Sequence, residues 1–236
     1  EAPGQAAVHV VIIGLEKGKT TTPRLFTYPD IKAAPVEIPA KQINNYLVDA
    51  PTIWINKRIK PLAGIPTVQY GSKPADGGNL LVESGEEHSE ASADPIVAKY
   101  LRRFIGAREL IHNKPRWCLW LEDLDPQDLK KSKVLQSRIE ANRDFRNTAP
   151  EKGDAYKLRD IPHLMRPNKS RPLAPYICIP AHFSELRTYA TVARYQPEVI
   201  SGNANFTAED PDGFLFAIIS SSMFITWQRM VGGRQE

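Results

Sequence analysis

Residues 117–121 have the sequence WCLWL, a short apolar run inside a charged part of the chain. Its length and its bulky side chains are typical of a buried β-strand. An Asp-Pro pair stands on either side, at Asp94-Pro95 and at Asp125-Pro126. Each pair predicts the start of a helix, because the carboxylate accepts from free backbone N–H groups and proline suits the first helical position. Helix, strand and helix in succession predict a mixed α/β (α+β) fold.

A helix is expected after each of the two Asp-Pro pairs. After Asp94, apolar residues at helical spacing predict a helix over residues 96–104. After Asp125, a second helix would turn an apolar face inward, made of Leu129, Val134, Leu135, Ile139 and Phe145. Its other face would carry six cations: Lys130, Lys131, Lys133, Arg138, Arg143 and Arg146.

Weaker signals complete the arrangement after residue 70. Residues 76–79 (DGGN) predict a tight turn, and a strand is expected at residues 80–82. The acidic, Ser-rich residues 84–93 predict a loop. Residues 176–179 predict a further strand, and residues 214–227 predict a final buried helix.

The N-terminal part begins with an apolar run. Residues 6–15 (AAVHVVIIGL) predict a strand buried on both faces of a parallel sheet, and we expect its neighbours in a larger parent protein. The stretch at residues 14–20 has three residues between its glycines where a phosphate-binding loop has four, which argues against nucleotide binding. A linker is expected over residues 18–39, a short helix over 40–47 and a strand over 52–55.

The positive charge is concentrated. The 236 residues carry a net charge of +4, whereas residues 99–171 hold eighteen Lys/Arg and ten Asp/Glu, a net charge of +8. Such a concentration indicates a nucleic-acid partner. The alternative is a basic face that only meets solvent, and charge alone does not separate the two.

Several classes of site find no support in the sequence. Cys118 and Cys178 stand alone in apolar runs, which predicts buried free thiols in a reducing cytoplasm and no metal site. We find no signal peptide, no span long enough for a membrane and no nucleophile or acid–base arrangement of a known type. No catalytic residue is therefore predicted.

A series of short strings carries a family resemblance. In chain order they are AAVHVVIIG (6–14), YGSKP (70–74), DGGNL (76–80), FIGARE (104–109), RWCLWL (116–121), IP (179–180), SELRTY (184–189), SSS (220–222) and GGR (232–234). Their order over nearly the whole chain resembles the MmeI-like (type IIG/IIL) restriction-modification DNA methyltransferases, from the end of the methyltransferase domain through the target-recognition domain.

The resemblance implies a division of the chain and a function. Residues 1–58 would be the C-terminal edge of a methyltransferase domain with its linker, and residues 59–236 a DNA target-recognition domain. The partners would be double-stranded DNA and the methyltransferase domain of the same parent chain. The parent would methylate adenine N6 with S-adenosylmethionine. No Gly-rich cofactor loop or Asn-Pro-Pro-Tyr motif occurs here, so the fragment itself should hold no cofactor and be inactive.

Two segments are predicted to touch DNA. In the segment SELRTY, an extended backbone would project Glu185, Arg187 and Tyr189 to one side. The resemblance implies that Glu185 and Arg187 set one base position, with Ser184 beside them, and arginine suits guanine while a carboxylate suits cytosine. The alternative is an internal Glu185–Arg187 ion pair. The second segment would contact backbone or a further base, as would Tyr189; its candidates are Arg166, Asn168, Lys169 and Arg171.

Two other functions stay open at this point. One is a free-standing DNA-binding specificity module with no enzyme attached. The other is the substrate domain of an RNA-modifying enzyme. The aromatic residues Trp117, Trp120, Phe224 and Trp227 are expected in the core and not as stacking platforms for bases, because their neighbours are apolar.

Overall fold

The computed structural model describes residues 11–18, 22–30, 32–54, 56, 60, 64–166, 171–182, 184 and 186–231. The chain forms two compact units, of which the first comprises residues 1–59 and 226–236 and the second residues 60–225. The predicted assignment of residues 1–58 and 59–236 to two domains of a parent protein stays a prediction.

The first unit contains an antiparallel hairpin of β1 (Arg24–Thr27) and β2 (Val36–Pro39). Asp30 closes the turn between them, since its carboxylate accepts from Lys32 N at 2.8 Å and its carbonyl accepts from Ala33 N at 3.0 Å. The predicted linker over residues 18–39 is therefore wrong for this part. The sequence feature that indicates this hairpin is Asp30, because an aspartate side chain that accepts from the backbone two residues later favours a turn.

Three further N-terminal predictions are not met. In place of a helix over residues 40–47, the side chain of Asn44 accepts from Tyr46 N and Val48 N, which closes a local turn. Such side-chain bonds compete with helical ones. Residues 52–54 form no strand, and Ile55 lies outside the described residues. Of the predicted first strand, residues 11–15 are exposed and not in a strand, while residues 6–10 lie outside the described residues.

The second unit contains two four-stranded sheets, formed by β3 (Gln69–Tyr70), β4 (Leu81–Val82), β5 (Leu101–Ile105), β6 (Trp117–Leu119), β7 (Tyr176–Pro180), β8 (Ala193–Tyr195), β9 (Ile200–Ser201) and β10 (Asn205–Glu209). One sheet has the order β3-β10-β7-β8 and is antiparallel. The other has the order β4-β6-β5-β9, in which β5 and β9 are parallel.

The helices of the described chain are α1 (Glu86–Ala93), α2 (Pro95–Ala98), α3 (Ala107–His112), α4 (Pro126–Lys131), α5 (Lys133–Asn147), α6 (Asp154–Lys157), α7 (Phe214–Ile219) and α8 (Ser222–Val231). Together with the sheets they give the mixed α+β fold that was predicted. The main core of the second unit is apolar and combines strand and helix residues, among them Leu80, Val82, Val97, Phe104, Leu119, Leu135 and Ile139.

The strand predicted at residues 117–121 is confirmed over Trp117–Leu119, while residues 120 and 121 lie outside it. Both Asp-Pro starts are confirmed. Asp94 accepts from Ile96 N and Val97 N, and Asp125 accepts from Gln127 N. The first helix is nevertheless only α2, since residues 101–105 form strand β5. Leu101 pairs with Leu119 of β6, so pairing with a distant strand overrides the helical spacing.

Two other helical predictions change. The predicted loop over residues 84–93 contains α1, in which Glu87 accepts from Glu83 N and pairs with Arg138, while Ala91 is buried. The helix after Asp125 divides into α4 and α5 at Ser132. The Ser132 hydroxyl accepts from Leu135 N at 3.2 Å and so starts the second helix with its own cap.

The face of α5 that was predicted to be basic is partly buried. Arg146 is fully buried and donates to five backbone carbonyls, those of Pro74, Ala75, Leu158, Ile161 and Leu164, over 2.7–3.0 Å. It therefore joins two loop segments to α5. In contrast Val134 and Phe145, which were expected to face inward, are 43% and 41% exposed.

The turn at residues 76–79 is confirmed. Gly77 and Gly78 have φ of +61° and +93°, and the buried Asp76 carboxylate accepts from the backbone of Leu80 and Leu81 at the start of β4. Residues 176–179 lie in β7 as predicted. The final helix is divided into α7 and α8 and is not buried throughout, because Phe214 and Trp227 are 58% and 51% exposed.

Candidate nucleic-acid interface

The segment SELRTY lies in the connection between β7 and β8, which are antiparallel neighbours. The connection leaves the sheet at Pro180, which pairs with Asn205 at the start of β10. Ala181 N donates to Ala204 O at 2.9 Å, so the first residue beyond β7 is still fixed. Between β7 and β8, the described residues 182, 184 and 186–192 lie outside any strand or helix, and this connection starts from a paired strand.

The loop turns where an extended segment was predicted. Ser184 O accepts from Arg187 N, and the Ser184 hydroxyl accepts from Leu186 N, both over 3.3 Å. Leu186 and Tyr189 are 86% and 56% exposed, and Arg187 is half-buried. Ser184 thus closes a turn in the loop. The alternation of side chains along an extended strand therefore does not decide which way residues 186 to 189 point. Glu185 lies outside the described residues, so its role beside Arg187 stays a prediction.

The residue that pairs with Pro180, where this loop begins, is held by close contacts with β5 and with the residues that precede β10. Asn205 is buried, and its side-chain amide donates to Ile105 O at 2.7 Å, while Gly202 N donates to the same carbonyl at 2.8 Å. Gly71 packs directly on the backbone of Ser201 and Gly202, where a Cβ atom would overlap both carbonyl oxygens. Glycine is therefore required at residue 71.

The second candidate segment is described at its two ends. Arg166 forms an antiparallel bridge with Lys73 and an ion pair with Asp154 at 3.0 Å. The Arg171 guanidinium lies 5.3 Å from the centre of the Trp120 ring, and both side chains donate to Glu122 Oε2, at 3.4 and 3.1 Å. Asn168 and Lys169 lie outside the described residues, so their contacts stay predictions.

The two candidate segments lie at opposite ends of β7. Arg171 precedes Tyr176, the first residue of the strand, and Ser184 follows Pro180, its last residue. A five-residue strand spans about 13 Å at roughly 3.3 Å a residue. Successive nucleotides of one DNA strand rise about 3.4 Å. The length of β7 is thus that of about four nucleotide steps.

Comparisons with known proteins agree on one family. The family described as MmeI, target recognition domain, matches residues 49–236. The chain belongs to this family. A curated relative, DNA methyltransferase A of Bacillus subtilis (strain 168), is 30% identical over 234 residues, which are 99% of this chain and 26% of that protein.

A solved structure agrees with this membership of the MmeI target recognition domain family. It is the type IIL restriction-modification enzyme MmeI in complex with DNA, 32% identical, with a TM-score of 0.75 over 92% of this chain and 29% of that one. The chain thus spans between a quarter and a third of the length of these two relatives. The likeness confirms the mixed fold and the resemblance that the sequence strings predicted.

Within this family member, the basic residues 99–171 are not one open face. Ion pairs within the described chain join Lys99 to Asp128, Arg116 to Glu83, Arg138 to Glu87, Arg143 to Glu140, Arg159 to Asp160, Arg166 to Asp154 and Arg171 to Glu122. The exposed cations for which the described residues show no ion pair are Arg103, Arg108, Lys114, Lys130, Lys131, Lys133, Lys152 and Lys157. In this second group, no ion pair within the described residues competes with an outside anion.

The aromatic residues mostly follow their prediction. Trp117 and Trp120 pack against the core of the second unit, and Trp117 stacks on His88 with ring centres 3.7 Å apart. The prediction is wrong for Trp227, which is about half exposed, and Phe224 is half-buried. Tyr70, which sequence reasoning left unassigned, stacks on Phe206 across β3 and β10.

The thiols lie in the core as predicted. Burial raises the pKa of Cys118, and it raises the pKa of Cys178 to about 12, although a hydrogen bond from Ser201 opposes the second shift. Neither thiol is a nucleophile at neutral pH. Among the described residues no group of His, Cys, Asp and Glu could hold a metal ion, and no helix there is long and apolar enough to cross a membrane.

Proposed function

We propose that this chain recognises a base sequence in duplex DNA for an S-adenosylmethionine-dependent adenine-N6 methyltransferase of the restriction-modification type. The observation that carries the proposal is the family match over residues 49–236, together with the structural likeness to MmeI bound to DNA. Methylation would belong to other parts of the parent protein. Such a protein acts where bacterial DNA lies, in the cytoplasm.

The division of labour follows from the residues present. A methyltransferase needs a cofactor loop and a pocket for the flipped adenine. This sequence has no Asn-Pro-Pro-Tyr string, and its two Gly-Gly pairs, at residues 77–78 and 232–233, do not have the sequence pattern of a Gly-rich cofactor loop. We therefore propose that S-adenosylmethionine binds in another part of the parent protein.

The loop between β7 and β8 supports a role in base recognition. Its residues Leu186 and Tyr189 are exposed and Arg187 is half-buried, and the loop starts where Pro180 pairs with the buried Asn205. We propose that Glu185 and Arg187 contact the two bases of one pair, with Ser184 shaping the turn. Arg166, Asn168, Lys169, Arg171 and Tyr189 would contact backbone or further bases.

Duplex binding should depend strongly on salt. A protein that neutralises Z phosphates loses affinity with a log–log slope of about −0.9Z. Since many of the basic residues are paired internally, we expect fewer contacts than their number suggests, with a slope of about −4 or steeper. Fluorescence anisotropy with a labelled random duplex, over a series of NaCl concentrations, measures this slope. A slope near zero would mean that the exposed cations meet only solvent.

A free-standing specificity module is the second candidate function. The lengths of the relatives argue against it, because this chain corresponds to only 26% of one and 29% of the other. The gene that encodes the chain distinguishes the two functions. A methyltransferase domain in the same open reading frame supports the first proposal, and its absence supports the second.

A further inference from the structure

Two basic side chains of the second unit converge on one carboxylate. Lys73 Nζ and Arg166 Nη1 donate to the same oxygen, Asp154 Oδ2, over 2.9 and 3.0 Å. The side chains of Lys73, Arg166 and Asp154 remain 41%, 57% and 31% exposed. The three side chains thus form a surface cluster of net charge +1, in which one anion holds two cations side by side.

The backbone beneath this cluster is fixed. Lys73 and Arg166 face each other in an antiparallel bridge, and Arg166 N donates to Lys73 O at 2.8 Å. The buried Arg146 donates to Pro74 O, next to Lys73, and to Leu164 O, two residues before Arg166. The two cations are therefore positioned before any ligand arrives, which lowers the entropic cost of binding one.

The cations retain unused capacity. An ammonium group has three N–H donors and a guanidinium group five. Within the described residues, the ammonium of Lys73 and the guanidinium of Arg166 each use one of them, for Asp154. A phosphate oxygen has the charge and acceptor character of the carboxylate oxygen that they already bind.

We propose that Lys73 and Arg166 form a binding site for one backbone phosphate of the DNA duplex, and that Asp154 occupies this site while the protein is free. The proposal rests on the proposed function, since it takes duplex DNA as the ligand. On binding, the phosphate shares or replaces the carboxylate as the partner of both cations. Phosphate contacts fix register and do not distinguish bases. Asp154 therefore weakens non-specific binding without changing sequence preference.

Removing the competing carboxylate should strengthen binding. Asp154→Asn is expected to raise the affinity for a random duplex about three- to ten-fold at low salt, because one repulsive charge beside the phosphate is lost. The rise should be equal for all sequences. Glu140→Gln is the matched control, since Glu140 is also an exposed carboxylate paired with one arginine, Arg143. It is expected to change the affinity less than two-fold.

Removing both cations should remove one phosphate contact. The double variant Lys73→Gln with Arg166→Gln is expected to bind a random duplex more weakly and to reduce the magnitude of the salt slope by about 0.9. Anisotropy titrations of the full-length protein with labelled random duplex, over a series of NaCl concentrations, measure both quantities. If the double variant does not fold, the affinity of Asp154→Asn for the random duplex tests the site by itself, because misfolding would not raise that affinity.

The outcomes separate this site from the proposed function. If wild-type protein selects a sequence while Asp154→Asn binds like Glu140→Gln and the double variant keeps its salt slope, the cluster is a structural ion pair and the site is overturned. If wild-type protein binds no duplex, the proposed function fails and the site fails with it. A gain for Asp154→Asn with a reduced slope for the double variant supports the site.

Discussion

Replacing Arg146 with methionine is expected to destabilise the protein by about 4 kcal/mol or more, a large fraction of a typical free energy of unfolding. The guanidinium is fully buried and donates to five carbonyls of two loop segments. A buried arginine can sometimes be replaced by an apolar residue at little cost, but only when its partners are replaced as well. Here the partners are backbone carbonyls, and each one left unsatisfied costs about 1–3 kcal/mol.

Arg143→Met is the matched control for this prediction. Arg143 lies one turn earlier on α5, is exposed, and within the described residues forms a surface ion pair with Glu140 alone. Exposed pairs contribute about 0–1 kcal/mol, so the control should unfold at nearly the wild-type urea concentration. If the two variants had equal midpoints in urea unfolding, Arg146 would not join the loops as its hydrogen bonds indicate.

Replacing Arg187 with alanine is expected to cost about 1–3 kcal/mol on the preferred DNA site, the value of one bidentate base contact. The loss on random duplex should be smaller, because only one background charge disappears there. Exchange of both residues, Glu185→Arg with Arg187→Glu, should change the preference at one base pair and leave the other positions unchanged. Either single exchange should bind worse than the double exchange, since like charges are then brought together.

Methylation mapping in the full-length parent protein measures these preferences base by base. Arg143→Ala provides the control for loss of a positive charge outside the loop, and it should weaken specific and random binding alike. If the double exchange methylates the original site unchanged, Glu185 and Arg187 form an internal ion pair. The loop would then have another role, and the assignment of base contacts to it would be wrong.

Locally coded features of the fold could be predicted from the sequence. The strand that begins at Trp117, the Asp94 and Asp125 caps and the DGGN turn all depend on neighbours in the chain, and the structure confirms them, although the strand ends at Leu119 and not at Leu121. Strand β5 was missed because its pairing with β6 is decided by distant residues. Burial of Arg146 was missed for the same reason, since two of its carbonyl partners lie more than seventy positions away.

The candidate site also has one part that the sequence predicted and one part that it did not. The loop containing Ser184 and Arg187 was located by resemblance, and its place between β7 and β8 gives it a supported base. Arg166 was a candidate from the sequence, but its convergence with Lys73 and Asp154 was not, because Lys73 is separated from Asp154 by eighty-one positions. Antiparallel pairing of residues 73 and 166 creates it. Sequence motifs do not show such long-range convergence.

Selection from a randomised duplex library tests the central claim most directly. The full-length protein would be offered double-stranded DNA of random sequence in competition with double-stranded RNA, and the bound molecules would be sequenced. Recognition of a DNA sequence predicts enrichment of one defined, asymmetric site and little binding of RNA. Bound DNA with no enriched sequence, or equal capture of RNA, would contradict the claim that this chain recognises a DNA target.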